Sequence, residues 1–125
     1  MNQAKLDAFA QRLFKELLAT MSALNIYLGH RLGLFRAMTE AGQATPPELA
    51  NRTGYADRYV REWLECMAVC EYVDYDRVTD RFSLPAEHAV VLLDRDHPAY
   101  AAAFFCFVPS FARILPSLME AFRTG

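Results

Sequence analysis

The sequence has no glycine-rich phosphate or nucleotide loop, no histidine and cysteine cluster spaced for a metal, and no nucleophile elbow. A complete active site of any of those kinds therefore finds no residues here. Its three cysteines are an odd number at irregular spacing, which excludes a disulfide framework and suits reduced thiols in a cytoplasmic protein. Cys66 and Cys70 share a helical face four residues apart, but no neighbouring ligand joins them, so they read as small buried side chains. The N-terminus lacks the basic start, apolar centre and cleavage site of a signal peptide. The most apolar run, Tyr100 to Leu115, is interrupted by Pro109, Ser110 and Arg113 and reads as too short to span a bilayer. There is no internal repeat and no low-complexity tract. Neither sign of charge dominates: 13 bases against 15 acids give a net charge of -2.

What is there is a globular composition, 54% apolar and 22% charged, in 125 residues. That length suits one compact domain. The apolar share is slightly high, as expected of a chain that lays some of its surface against a partner or another domain.

The most informative stretch is Thr45 to Pro85. Thr45 is a good N-cap, Pro46 occupies the first helical position, Glu48 completes a capping box, and Gly54 can end the helix in the left-handed conformation. A longer helix begins near Ala56 or Asp57, whose carboxylate suits a helix N-terminus. Val60, Trp63, Leu64, Met67 and Ala68 form one apolar stripe on it, with Arg58, Arg61, Glu62 and Glu65 elsewhere. Glu62 and Glu65 read as a solvated face, not an acid/base pair. Two β-prone runs follow, Tyr72–Tyr75 and Arg81–Leu84, joined by Asp76 to Asp80. Two helices, a tight turn and a hairpin predict a mainly α fold: a winged helix-turn-helix with a small β-hairpin wing, flanked by additional N- and C-terminal helices.

The flanks divide the chain into three parts. Residues 1–28 read as a helical arm in which Leu6, Phe9, Leu13, Leu17, Met21, Leu24 and Leu28 recur at three- and four-residue steps, a stripe that packs on another element or a second subunit. Residues 29–93 read as the winged-helix core, with a support helix ending at Gly42, a wing at about 71–85, and a short helix from Ala86 to Leu93. His30 reads as a polar residue at a helix end. Residues 94–125 read as a polar linker and then an apolar helical segment, nearly apolar all round and divided by Pro109 and Pro116, whose Tyr100, Phe104, Phe107 and Phe111 are candidates for an interface or the wall of a substrate cavity. Arg123-Thr124-Gly125 reads as a hydrophilic stop.

A winged helix invites a DNA-binding reading, in which Arg58, Arg61, Arg77 and Arg81 would meet the duplex. Between Thr45 and Pro85, however, eight acids face five arginines. A groove-facing surface is expected to be basic, so the charge argues against DNA as a partner.

The strings LGLFRAMTEAG (32–42), TPPELANRTG (45–54), RYVREWLECMA (58–68), EYVDYD (71–76) and RFSLPAEHAVVL (81–92) resemble the N-terminal winged-helix domain of bacterial class I S-adenosylmethionine-dependent methyltransferases. In that family the domain serves for dimerisation and for capping the substrate site, and a Rossmann-like catalytic domain follows it. The sequence stops at Gly125, where that catalytic domain would begin, and the cofactor's glycine-rich loop is absent. The resemblance thus implies a homodimerising, substrate-capping domain that is inactive alone and works with a catalytic domain in cis or trans. S-adenosylmethionine is implied for the parent enzyme and has no residues in this chain.

Overall fold

Local signals place the helices of the central motif. In the computed structural model, which describes Met1–Gly125, the Thr45 hydroxyl accepts from the Glu48 N–H at 3.4 Å and the Glu48 carboxylate accepts from the Thr45 N–H at 2.9 Å, opening a helix over Pro46–Thr53. Gly54 closes that helix at φ 74°, donating to the Ala50 carbonyl. The next helix spans Asp57–Val69. Its cap is Ala56, which has no side-chain acceptor, so Asp57 acts through its charge in the first turn and not as the cap.

In chain order the elements are α1 Gln3–Arg31, α2 Leu34–Ala41, β1 Gln43–Ala44, α3 Pro46–Thr53, α4 Asp57–Val69, β2 Asp74–Asp76, β3 Arg81–Ser83, α5 Ala86–Leu93, α6 Ala102–Phe105 and α7 Val108–Thr124. This is the mainly α winged helix-turn-helix that the sequence predicts. The wing is a three-stranded antiparallel sheet in the order β1-β3-β2, in which Phe82 faces Tyr75 on one side and Ala44 on the other. Two residues form β1, and neither is β-prone. It exists because β3 offers a free edge where α2 turns toward α3.

The core collects α2, α3, α4 and the wing on one side of α1. Phe35, Met38, Leu49, Leu64 and Met67 are fully buried. The stripe expected on α4 buries Val60, Trp63, Leu64 and Met67. Trp63 meets Phe35 edge-on with centroids 5.1 Å apart and donates its indole N–H to the Asn25 carbonyl at 2.9 Å. That bond fastens α4 to α1. Of the helical cysteines, Cys66 is half-buried and Cys70 is exposed at the cap of α4, so only the first matches the expected small core residue.

The C-terminal segment differs from expectation in three ways. Its break falls at Cys106–Phe107, because Pro109 occupies the first turn of α7, where its missing N–H costs nothing. Pro116 lies inside α7, which continues through Arg123 and Thr124 instead of ending before them. Finally, α7 is one-sided. Ser110, Arg113, Ser117, Glu120 and Thr124 recur every three or four residues on one face, while Phe111, Ile114, Leu115, Leu118 and Phe122 occupy the other.

Candidate functional site

The apolar stripe of α1 does not face the core. Where α1 meets the rest of the domain it buries Ser22, Ile26 and Gly29, and the Ser22 hydroxyl donates to the Tyr72 hydroxyl at 3.2 Å. Leu6, Phe9, Leu13, Leu17, Met21, Leu24 and Leu28 run along a different face, and all are exposed, Leu13 by 53%. Gly29 shows why the core side is narrow: a Cβ there would stand 2.4 Å from Trp63 Cζ2 and 2.6 Å from Phe35 Cε2.

The four C-terminal candidates separate. Tyr100 turns inward, packs on the core and pairs its hydroxyl with His30 Nε2 at 3.3 Å. Phe104 on α6, Phe107 at the cap of α7 and Phe111 on the apolar face of α7 are all exposed, and α7 buries no residue of its own. α6 packs on α1 and α5, and α7 touches α1. The uncovered faces of α1 and α7 thus belong to neighbouring elements. By length and composition alone, Ala102–Thr124, 23 residues with a mean hydropathy of 1.6 in its most apolar window, would suffice to cross a membrane, but the break at Cys106–Phe107 divides it into α6 and the 17-residue α7. Its polar residues gathered on one side are the mark of a helix lying against a surface.

The arginines proposed for DNA do not form a basic face. Arg81 is held by both carboxylate oxygens of Glu48, at 2.8 and 2.9 Å, and Arg61 lies 3.8 Å from Glu65 and 3.8 Å from Asp80. Arg58 and Arg77 make no ion pair, but Glu62 and Glu65 are exposed on the same helix as Arg58. The wing tip is closed by acids. Asp76 accepts from the Val78 N–H and the Thr79 hydroxyl, which holds its carboxyl below the usual carboxylate range, and the Tyr75 hydroxyl donates to Asp80 at 3.0 Å.

A family profile described as the Rv2258c-like winged HTH domain matches residues 19–94. The chain belongs to that family. Among solved structures, the mitomycin 7-O-methyltransferase MmcR superposes on this winged HTH domain with a TM-score of 0.78 at 26% identity, over 98% of this chain and 36% of the other. RosA from Streptomyces davawensis, an N,N-8-amino-8-demethyl-D-riboflavin dimethyltransferase, gives 0.76 at 24% identity, over 93% of this chain and 34% of the other. PigF, solved with SAH, gives 0.74 at 21% identity, over 90% and 33%. The chain spans about a third of the length of the solved structures it matches. No curated protein sequence matches it.

The winged HTH domain also carries features that sequence reasoning did not single out. An apolar groove of about 350 Å³ opens beside the stripe of α1, between Leu28 and Leu32 on one wall and Tyr55, Tyr59 and Trp63 on the other. Tyr55 and Tyr59, four residues apart around the start of α4 and aimed away from the core stripe, were the available signal. Around His30, burial and the guanidinium groups of Arg95, Arg31 and Arg36 push the imidazole below its usual value, and Cys106 Sγ lies 4.0 Å from its Nδ1. The S-adenosylmethionine group implied by the resemblance does not fit these residues, because no strand of the small sheet runs into a glycine-rich turn and a helix.

Proposed function

We propose that this winged HTH domain is the N-terminal dimerisation and substrate-capping part of an S-adenosylmethionine-dependent methyltransferase, inactive by itself. The observation that carries this reading is the pair of uncovered apolar faces on α1 and α7. A solvated monomer rarely leaves so much contiguous apolar surface open, and helices with one apolar side are built to meet another such surface. The match of nearly the whole chain to about a third of MmcR supports the assignment to a methyltransferase.

In this proposal residues 1–28 are the arm that grips the second subunit, residues 29–93 are the winged scaffold, and residues 94–125 lead to the catalytic domain, which acts in cis or in trans and holds the cofactor. Phe104, Phe107 and Phe111 contribute to the subunit contact and to the wall over the methyl acceptor, and Tyr100 fixes the start of that segment through His30. The parent protein works in the cytoplasm.

Size-exclusion chromatography with light scattering tests it. The chain is expected at twice its monomer mass, and Leu13→Asp combined with Leu118→Asp is expected to give monomers with unchanged far-ultraviolet dichroism. A native chain that is monomeric at about millimolar concentration, where even weak pairs associate, sinks the dimer reading.

A further inference from the structure

At the junction of the α1 end, the α2 start and the turn after α5 lies a polar pocket of about 100 Å³, lined by Gly29, His30, Gly33, Arg36, Leu93 and Arg95. Every ionisable group in its wall is a base. Of the nearest acids in sequence, Glu40 pairs with Arg52, Asp94 accepts from the Asp96 N–H, and neither Asp94 nor Asp96 forms an ion pair with Arg36 or Arg95. Arg36 and Arg95 make no ion pair or hydrogen bond within the chain, unlike Arg52, Arg61, Arg81 and Arg123, each of which has an acid within 4 Å. At Gly33 nothing stands within 4 Å of where a Cβ would be, so the backbone is bare on that side of the pocket and a ligand can approach closely. Burial first, and then the charges of Arg95, Arg31 and Arg36, oppose protonation of His30 in the pocket wall.

We propose that this pocket binds a compact oxyanion of the phosphate class, gripped by the guanidinium groups of Arg36 and Arg95. A guanidinium presents paired N–H donors at the spacing of phosphate oxygens, and two of them over one small cavity fit a tetrahedral dianion better than a planar carboxylate. The volume admits one phosphoryl group and excludes a nucleoside, so the ligand is free phosphate or the terminal phosphoryl group of a longer molecule. This inference does not rest on the dimerisation proposal, because no residue of the pocket belongs to the exposed apolar stripes.

The test is a nuclear magnetic resonance titration of the 125-residue chain with inorganic phosphate, phenyl phosphate and acetate at constant ionic strength set by chloride. Phosphate is expected to shift the Gly29 and Gly33 amides and the His30 ring protons saturably, with half-saturation on the order of millimolar and tighter than acetate. His30 faces Arg31, Arg36, Arg95, Tyr100 and Cys106, and its titration midpoint is expected to rise when phosphate is present, because the bound anion offsets the arginines. Arg36→Ala and Arg95→Ala are each expected to weaken binding about tenfold, as loss of a charged hydrogen bond does, and Arg113→Ala to leave it unchanged. All three arginines are exposed, so the fold is retained. Phenyl phosphate binding alongside phosphate assigns the site to a terminal phosphoryl group; phosphate binding alone assigns it to the free ion. No saturable shift up to about 50 mM, acetate binding as tightly as phosphate, or equal weakening by Arg113→Ala overturns the proposal.

Discussion

Arg81 grips Glu48 with both arms of its guanidinium, 2.8 and 2.9 Å from the two carboxylate oxygens, and joins the central wing strand to the first turn of α3. The same Nη1 donates to the Gln43 carbonyl on β1 at 3.2 Å. One side chain thus ties three elements, and the carboxylate it holds also closes the capping box with Thr45. A residue that a DNA-binding reading would place on phosphate is here an internal strut.

This strut gives the domain an acid dependence of known sign. The Thr45 backbone N–H first, and then the Arg81 guanidinium, hold the Glu48 carboxyl below its ordinary 4.5. A carboxyl with a lowered folded value contributes stability that is present above the unfolded value and lost as pH falls through the folded one. Thermal unfolding followed between pH 6 and pH 3 is therefore expected to show a steeper loss for the native chain than for Glu48→Gln. Parallel curves for the two would remove this pair from the acid response.

A methyl group at Gly29 has no room. Trp63 Cζ2 at 2.4 Å and Phe35 Cε2 at 2.6 Å are ring atoms in the packed core, and moving Trp63 stretches its bond to the Asn25 carbonyl. Gly29→Ala is expected to destabilise by about 1–3 kcal/mol despite alanine's better helix propensity. Chemical denaturation followed by Trp63 fluorescence measures it, and an equally or more stable variant would show that the rings shift freely.

The paired arginines predict weak contact with nucleic acid. With Arg61 and Arg81 engaged by acids, only Arg58 and Arg77 remain on that side, and two phosphate contacts confer little affinity. Fluorescence anisotropy with a duplex of about 30 base pairs at about 20 mM salt is expected to show no saturable binding at micromolar protein. A salt-sensitive isotherm that Arg58→Ala abolishes would reinstate the DNA reading.

Much of the fold was legible because its signals are local. Thr45, Glu48 and Gly54 mark a helix with side chains and backbone that lie within a few residues of each other, and the α4 stripe has a period that only a helix satisfies. The rest depended on contacts that sequence spacing does not encode. Gln43-Ala44 becomes a strand through its pairing with Phe82 and Ser83, some 40 residues away. Likewise, the stripe on α1 was visible, but its direction was not, because the face that buries Ser22, Ile26 and Gly29 contains no large apolar run. In α7 the break at Cys106–Phe107 resets the helical phase, so aromatics that look scattered from Tyr100 onward fall on one side once α7 is counted from Val108. As for the candidate site, Phe104, Phe107 and Phe111 were legible as a group, while the inward turn of Tyr100 needed its distant partner His30.

The uncovered faces predict a protection pattern that depends on concentration. No residue of α7 is buried, and α1 has no buried residue before Ser22, so their apolar stripes stay exposed to solvent within the chain. The amides of α2, α3 and α4 instead lie over the core and exchange only when the domain opens. If α1 and α7 close against a second copy, hydrogen exchange at residues 3–21 and 108–124 should slow as protein concentration rises from micromolar to about millimolar, while the core helices keep constant rates. Leu13→Asp should abolish the concentration dependence in α1, and by breaking the shared contact should release α7 as well. Loss of protection in α1 alone would show that the two helices meet different partners. Rates independent of concentration in both would leave the apolar faces without a second copy to cover them.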